Sequence, residues 1–143
     1  MTTESWVGSN GAFSTLTHWE STTNIGITVP GLSDSADFGS GVSSGATITG
    51  GGAVSDLTVE ASLVFSAPIT ATAIGNTGTV TLTAGSLTSL DSFFNAGTLT
   101  VVSGFIGSLY FTNDGVVQLG AGGTLRNTGY LGDNGSFEVT NGG

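Results

Sequence analysis

From about Ser43 onward the chain alternates apolar and polar residues in short runs: Ala46-Thr47-Ile48-Thr49, Leu57-Thr58-Val59, Ile69-Thr70-Ala71-Thr72-Ala73, Thr79-Val80-Thr81-Leu82, Thr98-Leu99-Thr100-Val101 and Phe137-Glu138-Val139. A period of two sends successive side chains to opposite faces of an extended backbone. Runs rich in β-branched residues and bounded by Gly, Asn, Ser and Asp therefore read as strands joined by turns. Further strands are expected at Phe105-Ile106, at Leu109-Tyr110-Phe111, and at Val116-Val117 with Leu119. Alternation also assigns the faces. Val80, Leu82, Leu99, Val101, Val117 and Leu119 should point inward, and Thr79, Thr81, Thr98, Thr100 and Gln118 outward.

Between the strands an Asn-x-Gly unit recurs, at Asn76-Thr77-Gly78, Asn95-Ala96-Gly97, Asn113-Asp114-Gly115 and Asn127-Thr128-Gly129. The first spacings are 19 and 18 residues, followed by 14 to Asn127 and 14 more to Asn141. Periods of this size mark solenoids, whose units bury a core by stacking on one another. Many short strands would also suit a two-sheet sandwich, but the repeat decides against it. Stacking like strands places like residues in ladders about 4.8 Å apart and turns Asn and Gly into stacked corners. The coil is too short for a strand, a helical crossover and a second strand. The expected fold is all-β, a parallel β-solenoid of right-handed sense with five or six coils over residues 43–143. Residues 1–42, which hold both Trp, the single His and one Pro of the two, form an aromatic cap or coupling segment.

Composition narrows the partners. The 143 residues carry 25 Gly, no Cys and no Lys, and Arg126 is the one cation against 10 acidic residues, for a net charge of −9. No basic patch exists to neutralise phosphates, which argues against nucleic acid and anionic membrane surfaces. Acidity here does not mean disorder, because 8% of residues are charged and 38% hydrophobic. Without Cys there is neither a disulfide framework nor a thiolate metal site. Thr2-Thr3-Glu4-Ser5 shows no signal-peptide pattern, and no apolar run approaches the ~20 residues of a membrane-spanning helix. Membrane insertion is not expected.

The N-terminal third adds a resemblance. Trp6-Val7-Gly8-Ser9-Asn10-Gly11-Ala12-Phe13, then Trp19, Val29-Pro30 and Asp34-Ser35-Ala36-Asp37-Phe38, is similar to the opening of bacterial extracellular β-helix proteins. Ala46–Thr49 and Ala53–Phe65 also resemble the first coils of autotransporter-type passengers and adhesins, some of which carry a Hint domain downstream. The resemblance implies a secreted or cell-surface bacterial location and leaves the ligand open. Physically, Gly8 and Gly11 permit tight turns, Pro30-Gly31 is a turn dipeptide, and Asp34 can accept from nearby backbone N–H groups. Trp6, Phe13 and Trp19 either cover the first coil or offer a contact surface.

Little in the chain looks catalytic. His18 is the sole imidazole and has no nucleophile elbow beside it. Asp91, Asp114, Asp133 and Glu138 are scattered, whereas glycoside hydrolysis needs two carboxylates about 5–9 Å apart. No enzyme activity is expected and no catalytic residue is assigned. Gly51-Gly52-Ala53-Val54-Ser55-Asp56 begins like a calcium-binding nonapeptide, but Val54 occupies a Gly position and the segment does not repeat, so a structural turn is the better reading. Oxygen ligands at Asp34/Asp37 or Asp114 stay open, while zinc lacks Cys and a second His. No metal or cofactor is assigned. The Thr-x-Thr pairs Thr47/Thr49, Thr70/Thr72, Thr79/Thr81 and Thr98/Thr100 resemble the ladders of ice-binding solenoids, yet Val116-Val117-Gln118 and Thr124-Leu125-Arg126 interrupt them.

An open solenoid has ends with unpaired backbone groups that need caps or invite another chain. Tyr130, Leu131, Phe137 and Val139 close the chain without a helix, Pro or charge cluster. The resulting expectation is a structural protein that stacks head to tail into fibres or matrix, with Trp6, Phe13, Trp19, Tyr130 and Phe137 at the subunit interface. The alternative is a surface adhesin or polysaccharide-binding scaffold module of a longer protein.

Overall fold

The computed structural model describes residues 2–21 and 26–140. It is a parallel β-solenoid of about 6 turns, with no α-helix among the described residues. Thirteen strands follow one another along the described chain. The first five are β1 (Thr3–Trp6), β2 (Gly11–Ala12), β3 (Trp19–Ser21), β4 (Ser35–Phe38) and β5 (Ala46–Thr49). Next come β6 (Gly52–Val59), β7 (Ser62–Phe65), β8 (Ile69–Asn76) and β9 (Thr79–Leu82). The long C-terminal elements are β10 (Ser86–Asn95), β11 (Thr98–Asn113) and β12 (Val116–Asp133), followed by the short β13 (Ser136–Val139).

Each coil has a short straight side and a long bent one. The straight sides stack in the order β2, β5, β7, β9, the first part of β11, the first part of β12, and β13. The bent sides stack through β4, β6, β8, β10 and the later parts of β11 and β12. Register shifts at Ser89/Ser92 and Ser108/Tyr110 divide the bent side into two straight runs, giving the coil three sides. An unpaired residue at such a shift bends the strand and turns the corner.

The core fills the space between the three sides in ladders. Ala46, Leu63, Val80, Leu99, Val117 and Phe137 follow one another in register, as do Ile48, Phe65, Leu82, Val101, Leu119 and Val139. Leu57, Ile74, Phe93, Phe111 and Leu131 form a third column. The expected inward residues Val80, Leu82, Leu99, Val101 and Val117 are buried, and Leu119 is partly so.

Two expectations need correction. Parallel pairing reaches well before the expected start at Ser43: β1 pairs parallel with β4 in the register Thr3↔Ser35, β2 with β5, and Ser35–Phe38 with Asp56–Val59. Gly52–Asp56 is not a turn but part of strand β6, where Asp56 accepts from Ser55 Oγ at 2.8 Å. Gly52 has no room for a side chain, because a Cβ there would collide with the Phe13 ring packed against it.

Candidate functional site

A file of buried amides runs along one corner of the coils. Asn76 Nδ2 donates to Asn95 Oδ1 at 2.7 Å, Asn95 Nδ2 to Asn113 Oδ1 at 2.7 Å, and Asn113 Nδ2 to Asp133 Oδ1 at 2.8 Å. The rungs lie 19, 18 and 20 residues apart. Each of the three amides also donates to a carbonyl of the following coil's corner, Thr98 O, Val116 O and Ser136 O, all at 3.2 Å. Asn76, Asn95 and Asn113 are fully buried, so the ladder satisfies amide groups that would be costly to leave unpaired. Only the first acceptor, Asn76 Oδ1, has no partner among the described residues, because no amide precedes it. Glycine accompanies the ladder for a steric reason. A Cβ on Gly97 would overlap the Gly78 carbonyl oxygen of the preceding coil.

Asn127 is not a rung of this ladder, contrary to the spacing expectation. It pairs in register with Ser108, and the corner after Asn113 is completed by Asp133-Asn134-Gly135. The coil is therefore 20 residues long, and the 14-residue spacing was a coincidence of composition. Asn141 lies outside the described residues.

At the N-terminal end the parallel stack is broken by β3, which pairs antiparallel with β1 in the register Trp6↔Trp19. Trp6, Phe13 and Trp19 are buried at 0–1% exposure against Phe38. Trp19 packs edge-on to Trp6 and its indole N–H donates to Phe13 O at 2.8 Å. His18 stacks on Trp6 with ring centroids 4.5 Å apart. These aromatics act within their own chain, so their side chains are withdrawn from the expected subunit interface. Asp34 ties the first residues down. It accepts from Thr2 Oγ1 at 2.6 Å and from the Thr2 and Gly31 N–H groups at 3.2 Å, and these bonds hold its carboxyl below the usual carboxylate range.

The C-terminal end is different. Leu131, Phe137 and Val139 continue the core columns yet stand 52%, 39% and 64% exposed, where their predecessors Phe111 and Val117 are at 0%. Tyr130 is 62% exposed beside them. Both polar columns at this end also change character. The Asn ladder finishes in Asp133, and the outward column Thr81, Thr100, Gln118 finishes in Glu138, which accepts from Gln118 Nε2 at 3.3 Å. Sequence reasoning named Tyr130 and Phe137 for this end and weighed Asp133 and Glu138 only as catalytic or turn carboxylates. Their signal was present in the 20-residue spacing from Asn113 to Asp133 and from Gln118 to Glu138.

The remaining carboxylates do not converge. Asp114 accepts from Asn134 Nδ2 at 3.0 Å in an exposed corner, and Asp91 is exposed at a strand bend. Among the described residues no three His, Asp or Glu side chains group in a way that could hold a metal ion, and no helix is long and apolar enough to cross a membrane. What the fold defines is a β-solenoid whose first coils are sealed by buried aromatic side chains and whose last described coil leaves core-column side chains exposed. Comparison with protein-family models, curated proteins and solved structures returns no match.

Proposed function

We propose that this chain is a structural stacking protein, secreted or displayed at the bacterial surface, whose subunits add end to end into fibres or a matrix. The carrying observation is the uncovered core at the C-terminal coil, where three columns of buried side chains end in exposed Leu131, Phe137 and Val139. Covering a fully exposed side chain of this size contributes about 1.5–3 kcal/mol, so three half-exposed ones offer roughly half of that each. Among the described residues the adjoining strand β13 pairs only with β12, leaving its other side for another strand.

The carboxylates favour a head-to-tail arrangement. Two tails meeting face to face would set Asp133 and Glu138 against their own copies, and directly opposed like charges are unfavourable. A head end brings different groups. With Trp6, Phe13 and Trp19 internal, the large apolar side chains exposed near that end among the described residues are Leu16, Ile27 and Leu32. Contact between unlike faces is heterologous and propagates into an open fibre.

Electron microscopy and sedimentation of the purified chain test this reading. Fibres or concentration-dependent oligomers are expected, and Val139→Glu should shift them to monomers while the β signal in circular dichroism persists. A chain that stays monomeric at high concentration overturns it in favour of a scaffold module.

A further inference from the structure

A groove with a volume of about 380 Å³ crosses three successive coils on the outer side of the bent strands. Its walls come from Thr88 and Leu90 of β10, Phe105 and Leu109 of β11, and Arg126 and Thr128 of β12. Thr88, Gly107 and Arg126 are consecutive in one outward column, so the middle rung has no side chain. The ring of Phe105 lies across that gap. A Cβ on Gly107 would fall 2.6 Å from Phe105 Cε1 and 3.0 Å from Cζ, so Gly107 is what lets the ring lie against the sheet there.

The chemistry of the groove is unlike the rest of the surface. It holds the single arginine of a chain with net charge −9, and that guanidinium makes no ion pair among the described residues. The Ser89 and Ser108 hydroxyls are engaged by backbone carbonyls, whereas those of Thr88 and Thr128 stand without a partner among the described residues. An aromatic ring, aliphatic walls, two available hydroxyls and one fork of N–H donors match a polar ring with an apolar C–H face and one carboxylate. Arg binds carboxylates through paired N–H groups, and aromatic rings with a polar rim suit amphipathic ligands.

We propose that this groove binds a uronic-acid unit of an oligosaccharide, its carboxylate on Arg126 and its ring against Phe105. Repulsion from the protein's other carboxylates is largely screened beyond about 8 Å at physiological salt, which leaves the local Arg126 contact to decide. The inference stands on the groove alone and does not depend on end-to-end assembly.

The test is calorimetric titration of the intact chain with trigalacturonic acid and with its fully methyl-esterified form, beside R126Q and F105A. Saturable binding of the acid is expected. R126Q and esterification should each weaken it about tenfold or more, as loss of a charged hydrogen-bonded contact does. F105A should weaken binding of the acid as well. Both substitutions lie on the outer face, and unchanged circular dichroism and thermal midpoint establish that the fold is retained. Should R126Q unfold the chain, the ester comparison on the unmodified protein decides alone. Absence of saturable binding, or equal binding of acid and ester, overturns the proposal.

Discussion

Replacing Asn95 by Asp tests the ladder by exchanging one amide nitrogen for an oxygen. Asn95 is fully buried, accepts from Asn76 Nδ2, and donates from Nδ2 to Asn113 Oδ1 at 2.7 Å, Val116 O at 3.2 Å and Gly97 O at 3.3 Å. The carboxylate keeps the bond from Asn76 and loses all three donations. The amide has two N–H groups to share among these three acceptors, so at about 1 kcal/mol per bond the loss is roughly 2 kcal/mol, and the ionised oxygen would also face three acceptors without water. An unpaired buried charge raises the expected loss to about 3–5 kcal/mol at pH 7. Asp133→Asn supplies the control, since it exchanges the same groups at the exposed end of the same ladder and should shift stability by less than about 1 kcal/mol. The sign with pH is also fixed. Burial raises the folded pKa of the introduced carboxyl above its unfolded value of about 4, so the folded state binds more protons between the two values. Stability therefore returns as pH falls through the raised pKa, where a protonated carboxyl can donate to Asn113 Oδ1. Urea titration followed by far-ultraviolet circular dichroism and by the buried Trp6 and Trp19 reads both effects. A variant within about 0.5 kcal/mol of wild type at pH 7, or one that acid fails to rescue, would refute the reasoning.

Leu99→Asp should prevent folding or cost more than about 3 kcal/mol, whereas Thr98→Asp at the neighbouring outward position should be mild; denaturation midpoints of the pair compare the two faces. Asp34→Asn should lower the thermal midpoint at pH 7. Because Thr2 and Gly31 depress the Asp34 pKa, the stabilisation is present above the unfolded value and fades as pH falls through the folded one, so the gap between variant and wild type should narrow in acid. Gly97→Ala should destabilise strongly, through overlap with the Gly78 carbonyl, while Gly75→Ala, with open space at its Cβ position, should not; midpoint shifts of similar size would contradict the close-packed corner.

Much of the coil was legible because its physics is local. Alternation placed Val80, Leu82, Leu99, Val101 and Val117 in the core, and the Asn-x-Gly corners at Asn76, Asn95 and Asn113 carried the period. The motif failed at Asn127 because an Asn-x-Gly triplet has no memory of register. What defines a rung is the partner one coil away, and at the last, exposed rung, which here only accepts, Asp133 takes the place of an Asn. The N-terminal boundary was missed for a related reason: Ser35–Phe38 lies before the first Asn corner, so it has the pairing of a coil without its punctuation. The interior position of Trp6, Phe13 and Trp19 was one of two readings that residue type left open, and the antiparallel β3 that seals them has no sequence signal of its own. The groove at Gly107 depends on three residues from three coils and could not be read before the register was known.

The Asn ladder makes length an adjustable quantity. Every amide in it passes its hydrogen bond the same way, toward the C-terminus, and each rung needs nothing from its neighbours except another amide one coil further on. Duplicating one 18-residue coil in tandem would thus insert a rung without altering the direction of any other, extending the rod by about 4.8 Å. Insertions that are not a whole coil, which in this chain takes 18 to 20 residues, would displace the amide, the corner glycine and the inward columns together. A gene encoding such a chain could therefore lengthen the rod coil by coil without redesigning either end.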